Sequence, residues 1–259
     1  MNTKTMLMLC TALAAAAAFA QGAEKATVES TPEARMSART KDKTRDPGLF
    51  GDYWWANRFL SRHREIENLK GKPVDVVMIG DSIVHFWEKY HKDSWDRFVA
   101  NRTVLNLGYG GDHTETVLWR IDHGELDGYE AKVVVLMIGT NNNAGRNTKP
   151  ENVAEAIELI IARIREHQPK ATIVLHPIFP RGSAAQPERH AGARSRNEKT
   201  NELLKKFVEK DGKVVWIDFN DKLVDETGWV PKSIMTDALH PTAAGYDIWA
   251  EALAPVIGK

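Results

Sequence analysis

A chain of 259 residues, 42% apolar and 27% charged, has an ordinary globular composition and is long enough for one α/β domain or two smaller ones. Its 35 Lys and Arg balance 35 Asp and Glu, which removes any electrostatic case for nucleic acid or an anionic membrane as a partner. Cys10 is the single cysteine, so stability must come from a core rather than from disulfides, and no internal repeat is visible.

The chain opens with Lys4, an almost wholly apolar run from Met6 to Ala20, and Ala18-Phe19-Ala20 at its end. This is the pattern of a secretory signal peptide over residues 1–20, cleaved near Ala20. The run is shorter than the ~20 residues a membrane span needs, so the mature form is expected to lack stable membrane association. Export to the periplasm or the medium follows from this reading. Residues 21–48 are polar, carry Pro32 and Pro47, and read as a flexible linker. At Leu49-Phe50 the composition changes, and residues 49–259 read as one domain.

Within that domain Tyr53 to Leu69 reads as a helix, with Trp55, Phe59, Ile66 and Leu69 as core contacts. Five runs follow, at 74–79, 103–107, 132–138, 171–178 and 213–219. They are near-continuously apolar rather than alternating, as strands buried on both faces are. Helical stretches lie between them, at 82–99, 113–123, 151–168 and 191–210, with a last one at 242–256. The clearest is 151–168, where Val153, Ile157, Ile160, Ile161 and Ile164 recur at helical spacing between Pro150 and Pro169. Alternating strands and helices predict a five-stranded parallel sheet covered on both faces, with active residues at the carboxyl ends of the strands.

Four polar motifs fall at such positions. Gly80-Asp81-Ser82 closes the first run and opens a helix; alone it reads equally as a helix cap, with Asp81 as a capping or turn residue. Asn106-Leu107-Gly108 closes the second run, where a glycine lets its backbone N–H approach a reacting oxygen. Gly139-Thr140-Asn141 closes the third; alone it reads equally as a polar turn, and the functional reading makes the Asn141 amide a donor to an oxyanion. Asp237-Ala238-Leu239-His240 precedes the last helix. A serine hydroxyl is a poor nucleophile until a base takes its proton, and the base works best when a carboxylate fixes its tautomer. Ser82, His240 and Asp237 supply those three groups. The remaining histidines form no ligand-spaced cluster, so no metal site is expected.

Together these blocks resemble the GDSL/SGNH hydrolases over about residues 50–257. Asn106-Leu107-Gly108-Tyr109-Gly110-Gly111-Asp112, Val117-Leu118-Trp119-Arg120, Gly124-Glu125-Leu126 and Pro180-Arg181-Gly182 are similar to the branch holding the catalytic subunits of platelet-activating-factor acetylhydrolase type IB. Ile83 stands where the family opening usually has Leu. The resemblance implies a flavodoxin-like three-layer α/β/α sandwich and no cofactor. It implies Ser82 as nucleophile, His240 as base and Asp237 as its orienting carboxylate. The oxyanion hole would be the N–H groups of Ser82 and Gly108 and the amide of Asn141.

The expected activity is that of an exported serine esterase releasing short acyl groups, chiefly acetyl, from a small molecule or an acetylated glycan. A lysophospholipase, thioesterase or platelet-activating-factor-type acetylhydrolase is the enzyme alternative, and a carbohydrate-binding protein on the same fold the non-enzyme one. Tyr109, next to Gly108, is expected to crowd the acyl side, and Trp87 or Trp229 to stack on a sugar. A homodimer is left open.

Overall fold

The computed structural model describes residues 53–145 and 148–258. The expected signal peptide, linker and domain start at residue 49 lie outside the described residues. Five strands, β1 (Pro73–Gly80), β2 (Val104–Gly108), β3 (Glu130–Met137), β4 (Thr172–Leu175) and β5 (Val215–Trp216), form one sheet in the order β2-β1-β3-β4-β5. Every pairing is parallel. Eight helices accompany them among the described residues: α1 (Tyr53–Leu69), α2 (Ser82–Tyr90), α3 (Lys92–Val99), α4 (Thr114–Arg120), α5 (Thr140–Gly145), α6 (Pro150–His167), α7 (Pro187–Asp211) and α8 (Ala243–Ile257).

The strands bury both faces, and alternate residues feed two cores. Val77, Ile79, Val134 and Leu136 meet Ile66 of α1, Val117 of α4, the Ile157–Ile164 stripe of α6 and Leu204 of α7. Val76, Met78, Val135 and Met137 face the other way, onto Trp87 of α2, Phe98 of α3 and Trp249 of α8. The helices therefore divide into two layers around the sheet, as the sequence predicts. Each fully buried aliphatic side chain contributes roughly 1.5–3 kcal/mol, so these two apolar cores supply the stability that disulfides do not.

The register sets where chemistry can occur. Gly80 pairs with Gly108 on one side and Met137 on the other, so β1, β2 and β3 end level with one another. Ser82, Gly108 and Asn141 come from those three ends, which is the crevice position expected of an open parallel sheet.

The elements differ from expectation at several places. The 82–99 helix breaks at His91 (φ −125°, ψ 53°). The break turns Trp95 and Phe98 onto Trp87, at ring centroid distances of 5.7 and 4.4 Å. The 113–123 helix stops at Arg120 and continues as a π-type turn, Ile121–Glu125, in which Gly124 has φ +91°. Strands four and five pair over only four and two residues. Helix α7 begins earlier than the expected 191, with Pro187 in its first turn.

Candidate active site

Strand β1 delivers the chain to Asp81, which caps α2: its Oδ1 accepts the Ile83 N–H at 2.9 Å. Asp81 is wholly enclosed, and burial, reinforced by nearby Asp112, pushes its carboxyl up to about 7 against the Ile83 N–H and Arg181. The capping role expected of Asp81 is what the structure has. Ser82 is the first residue of α2, where a helix supplies no acceptor for the backbone N–H. The Tyr246 hydroxyl, from α8, donates to the Ile83 carbonyl at 2.7 Å and pins this turn from the other side.

The Ser82 hydroxyl lies 2.8 Å from His240 Nε2. His240 Nδ1 lies 2.6 Å from Asp237 Oδ2, while Asp237 Oδ1 accepts the N–H groups of His240 (2.7 Å) and Leu239 (3.1 Å). A carboxylate only accepts, so Nδ1 must carry the hydrogen, and Nε2 is left as the acceptor for the Ser82 hydroxyl. Burial opposes charge on Asp237, but these N–H groups and the His240 ring outweigh it and hold its pKa below the ordinary value. The carboxylate thus stays ionised through mildly acidic pH. Ala238, inside this loop, has φ +61°, a region that costs a non-glycine residue about 1–2 kcal/mol. The loop is held there by the Gly182 N–H, which donates to the Ala238 carbonyl at 2.9 Å, and by a bridge between Met235 and Pro241.

Asn141 occupies the first turn of α5, a short helix that the sequence reading missed. Its Nδ2 donates to the Asp112 carbonyl at 2.8 Å, which orients the amide and leaves its second hydrogen for a ligand. The two following asparagines are structural. Asn142 exchanges hydrogen bonds with Thr114 of α4, and Asn143 donates to Asn197 and Thr200 of α7. Gly139 has φ +126°, and a Cβ there would meet Ile178 Cδ1 at 2.7 Å, so the turn into α5 requires glycine.

Gly108 departs from expectation in one respect. Its N–H already donates to Asn106 Oδ1 at 2.9 Å, and would have to be shared to serve a reacting oxygen. A Cβ at Gly108 would collide with Val84 and the His85 backbone, so packing on α2 by itself requires glycine here. Arg58 of α1 fixes this strand end, donating to the carbonyls of Gly108 (2.8 Å) and Asn106 (3.1 Å).

Two of the three expected substrate contacts are corrected. Trp87 is completely enclosed, stacked on Phe98, Tyr246 and Trp249, with its Nε1 donating to Ser94 Oγ. It cannot stack on a sugar. Tyr109 is also completely enclosed, with its hydroxyl on Glu125 and the Arg120 guanidinium 4.0 Å from its ring centroid. It cannot crowd an acyl group. Tyr109 belongs instead to a buried polar cluster in which Arg120 holds both Glu125 and Asp112, and Trp55 Nε1 donates to Asp112 at 2.9 Å. Removing one member of such a buried charge pair costs about 3–5 kcal/mol. The cluster reaches the site because the Asp112 carbonyl is the acceptor that orients Asn141. Trp229 is half-buried, with the Arg194 guanidinium 4.6 Å from its ring centroid.

Sequence reasoning missed two neighbours of the site, Arg58 and Phe86, and gave a third, Arg181, no role beyond its place in the Pro180-Arg181-Gly182 block. Arg58 gave no signal on its helix. Arg181, buried after β4, donates to Thr140 Oγ1 at 3.0 Å and contacts His190, tying the loop after β4 to the turn that carries Asn141. Phe86, one helical turn after Ser82, packs against the His240 ring at 4.9 Å. A shallow cavity of about 250 Å³ beside Phe179, Pro180, Asn197 and Asn220 contains none of the hydroxyl, imidazole or carboxylate groups. Among the described residues no cluster of His, Cys, Asp or Glu is arranged to hold a metal, and no helix is long and apolar enough to cross a membrane.

A parallel sheet between two layers of helices, with a hydroxyl, an imidazole and a carboxylate in hydrogen-bonded series beyond its carboxyl edge, defines a class of α/β hydrolytic proteins. Residues 78–248 match the GDSL-like Lipase/Acylhydrolase family. The subunit alpha2 of platelet-activating factor acetylhydrolase IB from Homo sapiens and from Rattus norvegicus is 37% identical over 212 residues, covering 82% of this chain and 88% of each relative. A GDSL-like lipase from Bacteroides thetaiotaomicron superposes with a TM-score of 0.62 at 21% identity, covering 77% of this chain and 96% of the other. The chain belongs to the GDSL-like lipase/acylhydrolase family and is an acylhydrolase of that family.

The amide of Asn141 gives a direct kinetic expectation. If it meets the carbonyl oxygen only as negative charge develops, Asn141→Ala lowers kcat by roughly 10²–10³ and leaves KM nearly unchanged. Steady-state kinetics on p-nitrophenyl acetate check it; a raised KM with normal kcat would make Asn141 a substrate-positioning residue.

Proposed function

We propose that this chain is an exported serine esterase that removes short acyl groups, chiefly acetyl, from carbohydrate. The observation that carries the reading is the continuous series Ser82 Oγ, His240 Nε2, His240 Nδ1 and Asp237 Oδ2. His240 Nε2 takes the Ser82 proton as Oγ bonds to the carbonyl carbon, and the carbonyl electron pair moves onto its oxygen. That oxyanion is met by the Asn141 amide, the Ser82 N–H and the Gly108 N–H once Asn106 shares it. Collapse of the adduct expels the alcohol, which takes the proton from Nε2. Water then repeats the sequence on the acyl-enzyme and releases the acid. The scheme calls on no cofactor.

The acetyl preference draws support from the relatives, which are named acetylhydrolases. The same names favour a second reading, a lipid ester of the platelet-activating-factor type. Export rests on residues 1–20 alone. Acetate release is the experiment: p-nitrophenyl acetate should be cleaved faster than butyrate and far faster than palmitate, and acetylated xylan should release acetate. Preference for octanoate or longer esters by kcat/KM would replace this reading with a lipid esterase.

A further inference from the structure

Ser82, Phe86 and Tyr90 are four residues apart along α2 and so lie on one face of that helix. Phe86 is half-buried against the His240 ring at 4.9 Å, and Tyr90, 59% exposed, meets the Phe86 ring edge-on at 4.9 Å. The exposed Lys89 ammonium stands 4.9 Å from the Tyr90 ring centroid. The two rings thus form a short aromatic ledge that starts at the imidazole and runs outward into solvent.

The imidazole fixes which part of an ester this ledge faces. The nitrogen that accepts the Ser82 proton must return a proton to the departing alcohol oxygen, so the alcohol lies on the His240 side of Ser82. The Gly108 N–H and the Asn141 amide come from other segments, the end of β2 and the turn after β3. We infer that Phe86 and Tyr90 are the specificity-determining residues of the alcohol side, and that they take the apolar face of a neutral sugar. This rests on the serine esterase reading above. Because the two rings meet at 72°, the exposed Tyr90 ring supplies the face on which the flat C–H side of a pyranose stacks, Phe86 lines its inner end, and the Tyr90 hydroxyl adds a polar edge. A choline ester fits it poorly, because the Lys89 ammonium already holds the cation position on Tyr90 and repels a second cation. A long alkyl alcohol would find no enclosed groove along these two rings.

Tyr90 carries the test, because truncating Phe86 would also disturb His240. The wild-type protein, Tyr90→Ala and Tyr90→Phe are compared on a monoacetylated methyl xyloside, on ethyl acetate and on acetylcholine. Tyr90→Ala should lower the ratio of kcat/KM for the xyloside over ethyl acetate about 10-fold, chiefly through KM, and Tyr90→Phe should keep most of it. An unchanged ratio in Tyr90→Ala overturns the proposal, as does wild-type preference for acetylcholine over the xyloside. Retained cleavage of ethyl acetate by Ser82→Ala is a separate outcome: it would overturn the serine esterase reading itself.

Discussion

Ser82→Ala lowers kcat on p-nitrophenyl acetate by about 10⁶-fold, as expected of a nucleophile that acts as a unit with its base. The fold survives the change. Asp81 still caps α2 through the Ile83 N–H, and Tyr246 still holds the Ile83 carbonyl. What disappears is the hydrogen bond between the Ser82 hydroxyl and His240 Nε2. Circular dichroism and the thermal transition should therefore match the wild type while activity disappears. Loss of structure together with activity would leave the change unspecific and count against the assignment.

Asp237→Asn has the next largest effect, and the hydrogen bonds around the carboxylate say why. The Oδ1 position faces two N–H donors, from Leu239 and His240, so an Asn at 237 must place its carbonyl oxygen there. Its NH₂ group then falls at the Oδ2 position, beside His240 Nδ1. Two donors cannot face each other, so Nδ1 loses its hydrogen and Nε2 gains one. The imidazole can no longer accept the Ser82 proton, and kcat falls by about 10⁴-fold with little change in structure. Nuclear magnetic resonance of the imidazole nitrogens reads the tautomer directly. Near wild-type turnover in Asp237→Asn would show that another group orients His240.

Three motifs were legible because each follows a strand; the fourth, Asp237 to His240, lies about twenty residues beyond β5 and was legible only by the spacing of its Asp and His before the last helix. Apolar, β-branched β1 and β3 announce themselves, and a parallel sheet collects whatever follows their carboxyl ends. Helix α6 was equally plain, since Val153 through Ile164 bury one regular stripe. Helix α7 was hard to bound because its buried face includes Asn197 and Thr200, which bond to Asn143 rather than advertise a core. The break at His91 carries neither proline nor glycine, and only the packing of Trp87, Trp95 and Phe98 reveals it.

At the site, adjacency in sequence misled where side-chain direction decided. Tyr109 follows Gly108 directly, yet its ring turns into the Arg120–Glu125 cluster. Trp87 shares a helix with Ser82 but not its face. Phe86 was within reach of sequence reasoning, because a helix opening at Ser82 places residue 86 above it. Arg58 and Arg181 were not, since their roles depend on carbonyls and hydroxyls that only tertiary packing brings to them.

The most direct measurement is active-site labelling with a fluorophosphonate followed by peptide mass spectrometry. A single adduct on Ser82, formed in step with loss of esterase activity and absent from the Ser82→Ala protein, is the predicted result. An adduct on another residue, with activity retained in Ser82→Ala, would contradict the account.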